Sequence, residues 1–168
     1  MENLIYKAEA MEDRDWPAVE AIYVDGIATG NATFEATSPG WERWNASHLP
    51  FGRLVVRDGS DILGWSAVSP VSSRCVYAGV AEVSVYVTES ARGKGIGRIL
   101  LEALISECEK NGIWTLQAGI LTENQASLAL HRTCGFRDVG YRERLGKLGD
   151  QWRDVALLER RSDTVGLE

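Results

Sequence analysis

Residues 82–97 read Glu-Val-Ser-Val-Tyr-Val-Thr-Glu-Ser-Ala-Arg-Gly-Lys-Gly-Ile-Gly, and this stretch decides the fold. Its first part, 82–87, alternates in polarity and is rich in β-branched and aromatic side chains, which predicts a strand. Three glycines then fall within five positions, at 93, 95 and 97, and leave backbone amides uncovered by side chains. Apolar residues recur at helical spacing over 96–108, so a helix is expected directly after the glycine loop.

A strand, a glycine-rich loop and a helix in this order suit a phosphate group. The loop amides and the positive end of the helix dipole both attract an anion. The loop is not a Walker loop, because no Gly-Lys-Ser/Thr follows at the required gap. A dinucleotide fingerprint is also unsuitable, because the next predicted strand, 114–121, carries no acidic residue to hold a ribose. Taken alone, the loop is an anion site or a simple turn.

The loop resembles the acyl-CoA site of the GCN5-related N-acetyltransferases, whose signature is Arg/Gln-x-x-Gly-x-Gly/Ala. Residues 92–97 satisfy this signature, and a Val-x-Val strand end precedes them. A second part of the family pattern runs from Asn124 and Ser127 to the pair Gly135-Phe136. The resemblance implies acetyl-CoA as co-substrate and the following residues as its contacts: Val85, Tyr86, Val87, Arg92, Gly93, Lys94, Gly95, Ile96, Gly97, Arg98, Asn124 and Ser127.

Shorter matches narrow the resemblance to the phosphinothricin acetyltransferase branch of this family. They lie over nearly the whole chain: Ala21-Ile22-Tyr23, Ala32-Thr33-Phe34-Glu35, Arg74-x-x-Tyr77, residues 82–87 and Trp152-x-Asp154-Val155. The branch acetylates the α-amine of phosphinothricin, methionine sulfoximine, methionine sulfone and related amino-acid analogues, and it is usually a homodimer. Two departures lie near the substrate half and leave the substrate open. They are Val24, where the branch has asparagine, and a slightly longer turn over 145–154.

Glu82 is the candidate general base, because amine acetylation needs a group that removes a proton from the attacking nitrogen. The resemblance implies this role, because the matching glutamate of the branch is the proposed general base. We expect Glu82 to be buried beside Val80 and Val83, and it could act directly or through a water. The alternative is a structural carboxylate paired with Arg74 or Lys147.

Two further catalytic groups are implied by the resemblance. A backbone amide of 85–87 would stabilise the developing oxyanion. His131 stands four residues before Gly135-Phe136, where many acetyltransferases have a tyrosine as general acid. A histidine that titrates near neutral pH can protonate a leaving thiolate. A lone histidine on an amphipathic helix is, however, more often a packing or capping residue.

The candidate substrate-binding residues are Glu82, Arg74, Tyr77 and Phe34. An arginine fork holds a carboxylate through two parallel hydrogen bonds, which suits Arg74 to an amino-acid substrate. The alternative for Arg74 is an ordinary surface arginine in a loop. Phe34 lies in a stretch without clear period and would either line the side-chain pocket or fill the core.

Composition excludes several classes of function. The 168 residues are expected to form one domain over 1–160, with a flexible tail at 161–168. A net charge of −6 argues against a nucleic-acid partner. No apolar run reaches the ~20 residues of a membrane span, and Met1–Leu4 lacks the regions of a signal peptide. Scattered cysteines and histidines give no metal-ligand spacing, so a reduced, cytoplasmic, metal-free protein is expected.

The expected fold is α/β, a single mixed, mostly antiparallel twisted sheet with helices on both faces, as in the GCN5-related N-acetyltransferases. The predicted strands are 5–8, 53–57, 62–68, a central strand from about 79, 114–121, 136–144 and 152–158. The predicted helices are 13–25 closed by Gly26, a short helix opened by Ser38-Pro39, 96–108 and 124–134. Irregular chain is expected from Arg160 onward.

Two functions compete with an amino-acid N-acetyltransferase. The first keeps the chemistry and takes a polyamine, an antibiotic amine or a protein N-terminus, but Arg74 counts against a cationic substrate. The second is a non-catalytic acyl-CoA-binding protein, against which the presence of Glu82 counts. The expected partner is therefore a small-molecule amine, with a second copy of the chain.

Overall fold

The computed structural model describes residues 5–168, which form one seven-stranded sheet flanked by four α-helices. The strands are β1 (Ala8–Ala10), β2 (Leu54–Asp58), β3 (Asp61–Pro70), β4 (Val80–Val87), β5 (Thr115–Leu121), β6 (Arg137–Leu148) and β7 (Gln151–Arg161). The helices are α1 (Trp16–Ala28), α2 (Trp41–Ser47), α3 (Ile96–Lys110) and α4 (Gln125–Thr133). Met1–Leu4, on which the expectation about a signal peptide rests, lies outside the described residues.

The strand order across the sheet is β1-β2-β3-β4-β5-β7-β6. The pair β4–β5 is parallel, and every other neighbouring pair is antiparallel. A parallel pair needs a crossover connection, and α3 supplies it between β4 and β5. The predicted mixed, mostly antiparallel sheet is therefore confirmed.

Each face of the sheet has its own core. On one face, Leu100, Leu101 and Leu104 of α3 are fully buried against the central strands. On the other face, α1 and α2 cover an aromatic cluster, which we define as Trp16, Tyr23, Trp41, Trp44, Trp65 and Tyr86. Within it the rings of Trp65 and Tyr86 stack at a centroid distance of 4.8 Å. Helices thus pack on both faces, as predicted.

Helix α1 differs from its prediction at both ends. A single 3₁₀ turn over Asp13–Asp15 precedes it, so Pro17 occupies its first turn, where a missing N–H does least harm. The helix continues to Ala28, and the expected stop at Gly26 is wrong. A Cβ at Gly26 would lie 2.7 Å from the Tyr86 ring, so this glycine permits close helix–sheet packing.

Helix α2 begins later than predicted. Gly40, with a φ of 77°, is its N-cap, so the proposed cap of Ser38 followed by Pro39 is wrong. Ser38 is used differently: its hydroxyl donates to the Glu20 carboxylate at 2.5 Å and accepts from the Gly40 amide at 3.2 Å. These bonds join the segment before α2 to α1.

The outer strands also shift relative to the sequence prediction. The first strand is Ala8–Ala10 rather than 5–8, and Ile5 is 90% exposed. Strand β7 runs to Arg161, so irregular chain does not begin at Arg160. Beyond it, the buried Ser162 hydroxyl donates to Glu109 at 2.8 Å. Flexibility of 161–168 stays a prediction.

Candidate active site

The main cavity opens where the two parallel strands separate. Strands β4 and β5 pair only through 80–82 and 115–117. Beyond those pairs the strands diverge, and 83–87 and 118–121 line opposite sides of a cavity of about 970 Å³. Glu82 and Gln117 are the last pair before the gap, and the Gln117 amide donates to the Glu82 carboxylate at 2.9 Å. The carboxylate therefore lies at the vertex of the cavity.

One end of the cavity, here called the loop end, is built from the glycine loop and the first turn of α3. Gly93 and Gly95 have φ angles of 76° and 79°, and Gly95 is the N-cap of α3. Apart from the glycine itself and its two chain neighbours, no atom of residues 5–168 lies within 4 Å of the position that a Cβ would occupy at either glycine. The first amides of a helix have no partner within it, so they are available above this open surface. An anionic phosphate fits these residues well.

Two arginines of the loop end line the cavity with different partners. Arg98 is paired with Glu102 of the same helix at 2.7 Å. The guanidinium of Arg92 has no hydrogen-bond or ion-pair partner within residues 5–168, so its charge is available to a ligand. Lys94, which was expected to contact the ligand, does not line the cavity. Gly97 serves packing, because a Cβ there would lie 3.1 Å from Leu130 of α4.

The opposite end is crossed by residues 29–35, which join α1 to α2 and which we call the strap. Arg153 of β7 donates to the Gly30 carbonyl and to the Asn31 side chain, each at 2.7 Å. It also pairs with Glu123 at 3.0 Å and retains only 11% side-chain exposure. From α4, the Asn124 amide donates to the Asn31 carbonyl at 3.1 Å. The strap is thereby tied to the far side of the sheet.

Strand β6 contributes the wall that faces the strap. Its pairing with β7 slips between Arg142 and Gly146, and Arg144 within this bulge has a φ of 48°. Asp154 of β7 accepts from the Arg144 amide at 2.7 Å and from the Tyr141 hydroxyl at 2.5 Å. The bulge places Arg142 and Leu145 among the residues that line the cavity. Bulges re-aim side chains in this way.

Helix α4 presents its N-terminus to the cavity. The Asn124 side chain accepts from the Ser127 amide at 3.2 Å and so caps the helix. Further along, the buried His131 donates from Nδ1 to the Ser127 carbonyl at 2.7 Å, since a carbonyl oxygen can only accept. Burial lowers the pKa of His131, despite that bond. The ring is neutral at pH 7, with its lone pair on Nε2, and this state offers no proton at Nε2.

Most residues expected from the sequence do line this one cavity. They are Glu82, Val85, Tyr86, Val87, Arg92, Gly93, Gly95, Ile96, Gly97, Arg98, Asn124, Ser127, His131 and Phe34. Glu82 is exposed, so the burial expected beside Val80 and Val83 is wrong. It forms no ion pair with Arg74 or Lys147 within residues 5–168.

Arg74 and Tyr77 do not line the cavity of the single chain. They lie in the connection between β3 and β4, where both are exposed and the Arg74 guanidinium lies 5.5 Å from the centre of the Tyr77 ring. Sequence reasoning missed Arg142 and Leu145, which do line it. The match Trp152-x-Asp154 was the available signal, because Asp154 shapes the bulge that carries both residues.

A smaller cavity of about 270 Å³ adjoins the main one. The two share Thr33, Glu35, Ser84 and Tyr86, and four members of the aromatic cluster line the smaller one: Tyr23, Trp44, Trp65 and Tyr86. Burial, together with the charge of Glu35, raises the pKa of Tyr23. Its hydroxyl therefore remains a neutral donor and acceptor beside the cavity.

Over the part of the chain that the structure describes, no three His, Cys, Asp or Glu side chains are grouped so that they could hold a metal ion. Within residues 5–168, every helix is too short or too polar to cross a membrane. The candidate chemistry of the site rests on the carboxylate at the vertex, the open amides of the loop end and the side chains of the strap end.

The chain is similar in sequence to named N-acetyltransferases. Phosphinothricin N-acetyltransferase of Alcaligenes faecalis is 34% identical over 159 residues, covering 89% of this chain and 79% of that protein. The L-methionine sulfoximine/L-methionine sulfone acetyltransferase of Pseudomonas aeruginosa is 30% identical over 151 residues, covering 86% of this chain and 88% of that protein. Each relative thus spans most of the domain.

A solved structure extends the likeness to three dimensions. The GNAT superfamily phosphinothricin acetyltransferase from Sinorhizobium meliloti, crystallised in complex with AcCoA, superposes with a TM-score of 0.85 at 27% identity. The match covers 97% of this chain and 91% of that one. The profile of the Acetyltransferase (GNAT) family matches residues 10–136, from the last residue of β1 to just past the end of α4. The chain belongs to the GNAT family and is an N-acetyltransferase.

Proposed function

We propose that this chain transfers the acetyl group of acetyl-CoA to the α-amine of amino-acid analogues of the phosphinothricin, methionine sulfoximine or methionine sulfone type. Relatives at 30–34% identity carry those substrates in their names. The observation that carries the proposal is the placement of Glu82 at the vertex of the cavity, between the loop end and the strap end. A carboxylate there faces both a ligand anchored at the loop and an amine held under the strap.

The loop end is the proposed site of acetyl-CoA. Open space above Gly93 and Gly95 admits a pyrophosphate, and the first amides of α3 together with Arg92 supply donors and charge. The relative from S. meliloti was crystallised with AcCoA, which supports this assignment. When bound, acetyl-CoA supplies the acetyl thioester.

Glu82 is the proposed general base. Its carboxylate takes the proton from the amine nitrogen, directly or through a water, as the nitrogen attacks the thioester carbon. Gln117 holds one carboxylate oxygen at 2.9 Å and leaves the other for this proton. A backbone amide of 85–87 is assigned to the carbonyl oxygen as it gains negative charge, since this segment borders the gap left by β5.

His131 is a poor proton donor to the departing thiolate when its ring is neutral and carries its proton on Nδ1. Nδ1 is committed to the Ser127 carbonyl, and the lowered pKa disfavours a second proton on Nε2. We therefore propose that His131 packs α4 against Phe136, whose ring lies edge-on to the imidazole at a centroid distance of 5.1 Å, and that water protonates the thiolate.

Recognition of the substrate carboxylate falls to one of two arginines. Arg74, proposed from the family resemblance, lies outside the single-chain cavity. Arg142 lines the strap end and has no hydrogen-bond or ion-pair partner within residues 5–168. A free guanidinium fork at this position suits a carboxylate, whereas a polyamine would meet a repulsive charge.

A substrate panel tests the proposal. CoA release is measured with phosphinothricin or methionine sulfoximine, beside the same compounds with the carboxylate amidated or removed. Loss of a charge-assisted hydrogen bond costs ~1.5–3 kcal/mol, so kcat/KM should fall roughly 10-fold to more than 100-fold without the carboxylate. Equal rates for the two sets would contradict the amino-acid assignment and leave a polyamine, an antibiotic amine or a protein N-terminus as the acceptor.

Matched variants then identify the arginine. Arg74→Gln and Arg142→Gln each remove one guanidinium and retain a polar side chain. The variant that abolishes the preference for the carboxylate identifies the clamp, while the other serves as its control. A preference that survives in both variants would rule out both arginines.

A further inference from the structure

Two adjacent residues of β7, Arg153 and Asp154, each hold a different wall of the strap end. Neighbouring residues of a strand point to opposite sides, so one strand segment can reach two separate structures. Arg153 reaches the strap, and Asp154 reaches the bulge of β6. Arg153 and Asp154 are not among the residues that line the cavity, so their action on it is indirect.

Arg153 is bound to specific groups of the strap and is not an ordinary surface cation. It makes two bonds of 2.7 Å to Gly30 and Asn31, which lie more than a hundred residues earlier in the chain. Glu123 holds the same guanidinium at 3.0 Å and fixes its direction. A further bond, from the side-chain amide of Asn124 to the Asn31 carbonyl, holds the same point of the strap.

Asp154 holds the bulge in an uncommon backbone conformation. Arg144 has a φ of 48°, a region that a non-glycine residue occupies at some energetic cost. The carboxylate accepts from the Arg144 amide and from the Tyr141 hydroxyl, one oxygen for each donor. These bonds lower the pKa of Asp154, first through Tyr141 and then through the Arg144 amide. The carboxylate is thus ionised at neutral pH.

The two walls meet where Phe34 of the strap packs on Gly146 of the bulge. The Phe34 ring of the strap lies over Gly146 at the end of the bulge, so close that a Cβ at Gly146 would be 3.0 Å from the ring. Phe34 and Leu145, one from each wall, therefore enclose the strap end together. A shift of either wall alters the space in which the amine is held.

We propose that Arg153 and Asp154 are positioning residues that set the affinity and selectivity for the amine. They act through the strap and the bulge and leave the loop end untouched. This inference rests on the proposed function only in placing the amine under the strap. The bonds that hold the strap do not depend on which amine is used.

The test is Arg153→Gln, which removes the charge and the fork at similar length. Amide hydrogen exchange of 29–35 should accelerate at least ~10-fold, because the strap loses its charged bonds to Arg153. The KM for the amine should rise ~10-fold, while the KM for acetyl-CoA stays within ~2-fold. Arg160→Gln is the matched control, because Arg160 is a half-buried arginine of the same strand whose partner, Glu109, lies away from the cavity.

Asp154→Asn is the second variant and reports on the other wall. It should raise the KM for the amine and accelerate exchange at 141–146, with 29–35 affected less. Unchanged exchange of the strap in a folded Arg153→Gln protein would overturn the inference. So would an equal rise in the KM values of both substrates. If the parent enzyme rejects amino-acid analogues, the proposed function fails, but the exchange measurement still decides whether Arg153 holds the strap.

Discussion

The two ends of the cavity are held together in different ways. The loop end consists of one continuous stretch, 92–98, whose shape follows from two glycines with positive φ and from the start of α3. The strap end combines the strap, the bulge of β6 and β7, which are more than a hundred residues apart at the extreme. The loop end is therefore sensitive to local changes of backbone, while the strap end is sensitive to the loss of single long-range bonds.

The vertex between the two ends gives the largest expected effect. Glu82→Gln keeps the shape and the contact with Gln117 but removes the proton acceptor. Turnover should fall ~10²-fold or more, while the affinity for acetyl-CoA changes little. Steady-state kinetics and calorimetric titration with CoA separate these quantities. If turnover is retained, Glu82 is not the base.

A change confined to the loop end comes next in size. Gly95→Asp adds a negative charge where the open surface faces a phosphate, and it forces a side chain into φ 79°. CoA affinity should fall at least tenfold, about 1.4 kcal/mol, with the KM for the amine nearly unchanged. Gly95→Asn is the control, because asparagine tolerates this conformation without the charge. An amine KM that rises as much as the CoA Kd would show that the two ends do not act separately.

His131 gives the smallest expected effect. Because the ring is neutral and bonded through Nδ1, His131→Gln should change kcat at pH 7 by less than ~3-fold. A fall of ~10²-fold in a folded variant would instead restore the role of general acid. The variant therefore tells a packed histidine of α4 from a catalytic one.

Stability against pH gives a second measurement on the same variant. The pKa of His131 is lowered by burial, so below its ordinary value of about 6.5 the unfolded chain binds more protons than the folded one. The free energy of unfolding should then decrease as the pH falls through that region. His131→Gln should flatten this slope in denaturant titrations at pH 7.5 and 5.5, and leave the contribution of His48, whose pKa burial also lowers.

The loop end could be predicted from the sequence because its determinants are contiguous. A strand, three glycines and a helical repeat lie within one short stretch, and each has a local signature. The same holds for α4, where Asn124 precedes the helix and caps it. The fold followed largely from the order of such local elements.

The strap end could not be predicted in the same way. Arg142 and Arg153 look like any polar residues of a strand, and only the pairing slip of β6 and the return of β7 bring them to the cavity. Gly26 is a related case. Its place in the sequence predicts a helix stop, but its lack of a side chain makes room for the ring of Tyr86, which lies sixty residues later.

The aromatic cluster gives the protein a built-in optical probe. Four of the six tryptophans, at positions 16, 41, 44 and 65, belong to it, with ring centroids 5.3–6.0 Å apart between neighbours. Such close rings exchange excitation energy and are expected to contribute to the near-ultraviolet circular dichroism. Tyr86 stacks on Trp65 and also lines the main cavity, so an amine under the strap should perturb this signal. Ligand titrations can thus be followed spectroscopically, without label or coupled enzyme.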